Sequence, residues 1–161
     1  MSSDDVYLGN PNLKKANTQI EFTADQIAEF IKCKKNPVYF AKKYVQIVNL
    51  DEGLVPFAPY KFQEKLIKRF HKERFNICKM PRQTGKSTTV VAYLLHYAVF
   101  NDSVNIGILA NKAATARELL GRLQTAYENL PRWMQQGIVA WNKGSLELEN
   151  GSKILAASTS A

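Results

Sequence analysis

Residues 75 to 100 constrain this chain more than any other stretch. Phe75-Asn76-Ile77-Cys78-Lys79-Met80 is short and apolar, Pro81-Arg82-Gln83-Thr84-Gly85-Lys86-Ser87 follows, and residues 88 to 100 (TTVVAYLLHYAVF) are apolar almost throughout. The first run reads as a buried strand and the last, apolar on every face, as a helix packed against a sheet. Neither approaches the roughly 18 residues a membrane span needs. Strand, turn, helix is the expected order, with Cys78 a small core residue inside the strand.

The same alternation continues downstream. Residues 104 to 110 (VNIGILA) predict a second buried parallel strand, and 112 to 130 predict a helix with Ala116, Leu119, Leu120, Leu123 and Tyr127 on one face, ended by Pro131. Residues 145 to 149 and 152 to 157 flank Asn150-Gly151, a hairpin signal whose two central residues are expected at positive φ. The implied fold is α/β, three-layered, on a mainly parallel sheet.

Upstream, Thr23 caps a predicted helix over 24 to 35, and Asn36-Pro37 stops it and opens a second. Breakers from Asp51 to Pro59 read as a connection, and residues 60 to 74 as a helix with Tyr60, Phe62, Leu66, Ile67 and Phe70 on one side. Three parts are expected: an arm, 1 to 22, free or loosely docked; a helical subdomain, 23 to 59; and an α/β core, 60 to 161. Two distant cysteines and no leader-like N-terminus point to a soluble, intracellular chain with no membrane association.

Charge is unevenly placed. Residues 1 to 60 balance, whereas 61 to 86 carry nine basic residues against Glu64 and Glu73. The natural partner of such a segment is a polyanion, either nucleotide phosphates or a nucleic-acid backbone, the alternative for Lys65, Lys68 and Lys72 being a helix face that is merely solvated.

The turn supplies chemistry for the first of these. Binding a triphosphate needs inward amides, a Gly for close approach, a Lys on the terminal phosphates and a hydroxyl on magnesium. Gly85, Lys86 and Ser87 provide the last three, with Gln83, Thr84 and Thr88 as further nucleotide contacts. The usual pattern has a Gly where Met80 stands, so it is the strand-to-helix context that gives the motif its weight. Arg82 either neutralises charge developing on the γ-phosphate, as an arginine finger in cis, or pairs with a carboxylate. Gln63 presents an amide that suits an adenine edge, or simply faces solvent.

These residues resemble a family. Pro-Arg-Gln-Thr-Gly-Lys-Ser is similar to the deviant Walker A of large terminase subunits, the DNA-packaging ATPases of tailed bacteriophages. Tyr60-Lys61-Phe62-Gln63 resembles their adenine-contacting segment, and residues 141 to 145 with 148 to 152 resemble the stretch before Walker B in T-even-like members. The resemblance implies a P-loop NTPase core of RecA-like type, with Lys86 on the β- and γ-phosphates, Ser87 on Mg2+, Arg82 as finger and Gln63 on adenine, and ATP as substrate. It also implies double-stranded DNA, portal protein, the small terminase subunit and further copies of the chain as partners, in the host cytoplasm at the procapsid. No apolar strand ending in paired acidic residues follows the loop, so the chain is expected to stop before Walker B and to lack the family's nuclease domain. A superfamily 2 helicase fragment, or a non-catalytic nucleotide-binding module, is the alternative.

Overall fold

The computed structural model describes residues 5–49 and 51–159. The first four residues of the expected arm, Leu50 and the last two residues lie outside the described residues. The chain is mixed α/β, and its described residues form five helices and a four-stranded mixed sheet beside two small hairpins. No helix among the described residues is long and apolar enough to cross a membrane.

The helices form where their caps stand. α1 (Ala24–Lys35) begins at Thr23, whose hydroxyl accepts from Gln26 N at 3.2 Å while Gln26 reaches back to Thr23 N at 3.0 Å. α2 (Pro37–Tyr44) starts with Asn36 accepting from Tyr39 N and Pro37 in its first turn. α3 (Lys61–Lys72), α4 (Lys86–Phe100) and α5 (Ala113–Glu128) complete the set.

Helix α4 is the hub. Phe40 of α2 meets Phe100 edge-on at 5.3 Å between ring centroids, and Phe30 of α1 meets the same ring at 4.8 Å. Each large apolar side chain so buried stabilises the fold by about 1.5–3 kcal/mol. His96 is buried among them with Nε2 2.9 Å from the Cys33 carbonyl oxygen, and its Nδ1 has no partner. Nearby, Glu29 accepts from Lys43 Nζ at 2.7 Å, Tyr39 Oη at 2.8 Å and Tyr44 Oη at 2.9 Å. The Lys43 ammonium leads these contacts in holding the Glu29 carboxyl down at about 2.

The sheet departs from expectation in composition. Its order is β5 (Asn105–Ala110), β8 (Lys153–Ser158), β7 (Ser145–Leu148), β6 (Ile138–Trp141), and only β5 and β8 run parallel. It is mixed rather than mainly parallel, because hairpin-sized connections join β6 to β7 and β7 to β8, and short connections impose antiparallel pairing. Ile106, Ile108, Leu146, Ile154 and Ile138 bury one face, against which α5 packs with α4 behind it. On the other face Leu109, Leu155 and Val139 are exposed, so the helices lie on one side instead of forming the expected sandwich.

Residues 75–80 form no strand. They run from α3 to α4 without a ladder partner, Phe75 being 82% and Ile77 100% exposed. Cys78 is exposed rather than a core residue. An apolar run becomes a strand only if another strand pairs with it, and none does among the described residues.

Two hairpins replace irregular chain. β3 (Gln46–Asn49) and β4 (Gly53–Pro56) pair antiparallel within what read partly as a connection. β1 (Val6–Tyr7) and β2 (Asn10–Lys14) form in the arm, which is docked: Leu13 is 2% exposed, and Ala16 N donates to Ile138 O on the β6 edge at 3.2 Å. Gln135 ties the arm down, accepting from Lys14 N at 3.0 Å and donating to Asn12 O at 2.8 Å. Lys14 pairs with Glu149 at 3.2 Å.

The Asn150-Gly151 turn forms, with a different geometry from the one expected. Gly151 N donates to Leu148 O at 3.0 Å and only Gly151, at φ +82°, is left-handed. Asn150 keeps negative φ because its side chain is engaged: Nδ2 donates to Ala98 O and Asn101 O at the end of α4, and Oδ1 accepts from Ser152 N.

Candidate functional site: the loop before helix α4

The loop from Pro81 to Gly85 is a turn whose conformation its own polar groups hold. Thr84 Oγ1 donates to Pro81 O at 3.0 Å. Gln83 lies at φ +59° and Gly85 at φ +74°, ψ +20°, a left-handed N-cap that only a residue without a Cβ adopts at no steric cost. No side chain caps α4, so the unpaired amides of its first turn are left for solvent or a ligand. The helix behind them has 15 residues, and its aligned peptides favour an anion there.

Lys86 is half-buried and folds over the loop, its Nζ donating to Met80 O at 2.7 Å. Ser87 is exposed one residue on, and Thr88 faces a groove of about 630 Å³ that Ile47, Val91, Glu118 and Arg122 also line. Arg82 and Gln83 are exposed, and Arg82 makes no ion pair among the described residues, which removes the carboxylate alternative there.

Gln63 stands apart from the other candidates. It lies in the first turn of α3, 3% exposed, accepting from Tyr60 N at 2.8 Å and donating from Nε2 to Gly85 O at 3.3 Å. The structure thus brings Gln63, Thr84, Gly85, Lys86, Ser87 and Thr88 around one loop, with Gln63 inside and Arg82 and Gln83 at the rim.

One member went unnoticed in the sequence. Thr89, fully buried, donates from Oγ1 to the same Gly85 carbonyl at 2.8 Å, beside its own amide at 3.0 Å. A hydroxyl four residues after the Gly was the available signal, since Thr can bond to the carbonyl one turn back. The Met80 carbonyl as partner of Lys86 left no signal, because any residue carries one.

The other cationic surface is α3. Lys61, Lys65, Lys68 and Lys72 recur at helical spacing along one side and are exposed. Of the four, only Lys72 makes an ion pair among the described residues, with Glu73 at 3.8 Å, while Glu64, paired with Lys42, also feels the charges of Lys61 and Lys68.

One comparison assigns the chain. The family model described as terminase large subunit, T4likevirus-type, N-terminal, matches residues 77–161, which take in the loop, α4, α5 and the whole four-stranded sheet. The chain therefore belongs to the T4-like large terminase subunits, in their N-terminal region, and with them to the machinery of phage DNA packaging.

Proposed function

We propose that the loop before α4 binds ATP with Mg2+, and that in the packaging motor its hydrolysis drives double-stranded DNA into the procapsid. The observation that carries this reading is the geometry at Gly85: a left-handed turn opening an uncapped helix, with the Lys86 ammonium folded across it. In this reading Lys86 exchanges the Met80 carbonyl for the β- and γ-phosphates. Ser87 offers one hydroxyl to magnesium. Phosphate oxygens and water would supply its other ligands. Arg82, exposed and unpaired, is free to reach charge developing on the γ-phosphate. Gln83, Thr84 and Thr88 line the phosphate path.

Titration with labelled ATP and Mg2+ tests this. Losing a charge-assisted phosphate contact costs about 1.5–3 kcal/mol, so Lys86→Ala should weaken binding at least tenfold, whereas Arg82→Ala should leave it nearly unchanged. Equal affinity for wild type and Lys86→Ala would reduce the loop to a turn.

For DNA we assign the lysine side of α3, whose four ammonium groups span about 16 Å at 1.5 Å per residue. Four phosphate contacts give a slope near −3.6 in log affinity against log salt, without sequence preference. A slope near zero, or binding unaffected by Lys65→Ala with Lys68→Ala, would remove DNA from this surface. Portal protein, the small subunit, further copies of the chain and a location at the procapsid in the host cytoplasm follow from family membership as parts of the same proposal.

A further inference from the structure

Two exposed patches of this chain complement each other in shape and in sign. At α1, Phe22, Ile27, Phe30 and Ile31 enclose an apolar hollow of about 240 Å³. Phe22, Ile27 and Ile31 are exposed, and helical spacing carries their stripe on to Lys34 and Lys35. Both lysines are exposed, and neither makes an ion pair among the described residues. An apolar surface therefore ends in two cations.

The second patch is the β3–β4 hairpin. Val48 and Leu54 are cross-strand partners, so their side chains share one face, and both are exposed. Beyond them the turn carries Asp51 and Glu52, exposed and likewise without an ion pair among the described residues. Asn49 Oδ1 holds that turn by accepting from Asp51 N at 2.8 Å. The hairpin thus repeats the order found at α1, apolar and then charged, with the opposite sign.

Within one copy the patches lie apart. Phe30 packs on Phe100 at the C-terminal end of α4, whereas Val48 and Thr88 line one groove at its N-terminal end. The 15 residues of α4 span about 22 Å. A contact between two different patches of one chain is heterologous: each copy keeps a patch for the next, and the series closes into a ring where the rotation allows.

We infer that the β3–β4 hairpin of one copy docks on the α1 patch of the next, with Val48 and Leu54 on Phe22, Ile27 and Ile31, and Asp51 and Glu52 against Lys34 and Lys35. This rests on the proposal that further copies of the chain are partners. It sets the docked hairpin beside Thr88, one residue past Ser87 of the candidate loop.

Two experiments on the full chain test it, in a parent carrying Cys78→Ser and Leu155→Lys, which remove the exposed thiol and put charge on the bare sheet face. First, Ile31→Cys and Leu54→Cys are oxidised separately and as a mixture. A disulfide-linked dimer is expected from the mixture alone. Dimers from Ile31→Cys by itself would mean that α1 meets α1, and no dimer in the mixture would separate the two patches; either result overturns the inference. Second, association is followed by sedimentation for Lys34→Glu with Lys35→Glu, and for Asp51→Lys with Glu52→Lys. Each reversal sets like charges face to face and should weaken association about tenfold, whereas the two variants mixed in equal amounts should regain it. Association unmoved by either reversal, or not regained in the mixture, also overturns the docking. Sedimentation of the parent separates the two failures. Mass rising with concentration but no mixed disulfide refutes these faces alone, and a constant monomer mass refutes copies of the chain as partners altogether.

Discussion

His96 and Glu29 give the chain an acid response in two steps. Burial holds the His96 imidazole down at about 4, below the usual 6.5, and the rings facing it, from His71, Tyr93, Phe40 and Phe100, offer no carboxylate to offset that. The unfolded chain therefore binds a proton more readily, and stability falls as pH drops from 6.5 towards 4, by about 3 kcal/mol at most. Glu29 has the opposite origin and the next window: its folded carboxyl is depressed to about 2, so its contribution is complete above 4.5 and is lost as pH falls through 2. Urea midpoints measured from pH 7.5 to 3 should decline below 6.5 and decline again below 4.5. His96→Phe should flatten the first leg, and a wild-type midpoint constant from pH 7 to 5 would contradict this account. Neither group could be read in the sequence. A histidine in an apolar helix announces burial, but that a single carbonyl, from Cys33 of α1, meets its ring depends on what the other helices bring to it.

At the level of elements, caps were the legible part. Thr23 and Asn36-Pro37 fixed two helix starts because a capping side chain bonds to amides within three residues, all inside the sequence window. The run 75–80 misled because strand formation depends on a partner segment that no local pattern reveals. The Asp51-Glu52-Gly53 breakers were read as a connection when they belong to a hairpin, with Asp51 and Glu52 in the turn and Gly53 pairing with Asn49 as the first residue of β4. The candidate loop was legible as residue types, whereas its internal bonds to the Met80 and Gly85 carbonyls were not, since main-chain acceptors leave no signature. Elements also differ in what they tolerate. Ala at Gly151 meets a left-handed backbone and Ser103 Oγ at 2.9 Å, so Gly151→Ala should destabilise by about 1–2 kcal/mol. Gly121, inside α5 with nothing within 4 Å of an added Cβ, should gain about 0.8 kcal/mol as Gly121→Ala. Urea denaturation of the two variants beside wild type checks both signs, and a stabilised Gly151→Ala would refute the turn geometry.

Across the whole molecule, helices cover one face of the sheet and leave the other bare. Leu109 and Leu155 stand on that face at the β5 edge, which has no ladder partner among the described residues, while Val139 lies across the sheet on β6; apolar side chains beside free ladder groups invite pairing between copies. Light scattering should rise with protein concentration, and Leu155→Lys should move the onset to higher concentration; identical onsets would place the contact elsewhere. The family was legible at this scale because three short signatures occur in order, while the sidedness of the helices was not, because it depends on topology rather than on composition. The docked arm has a consequence in time. Its anchors lie far along the chain, 121 residues from Lys14 to Gln135, 127 from Asp5 to Arg132 and 132 from Asn17 to Glu149. At roughly 5–20 residues per second the ribosome takes on the order of ten seconds to make that interval. The arm is thus made well before its anchors, and until β6 exists the apolar side of Leu13 must wait in solvent or in the care of a chaperone.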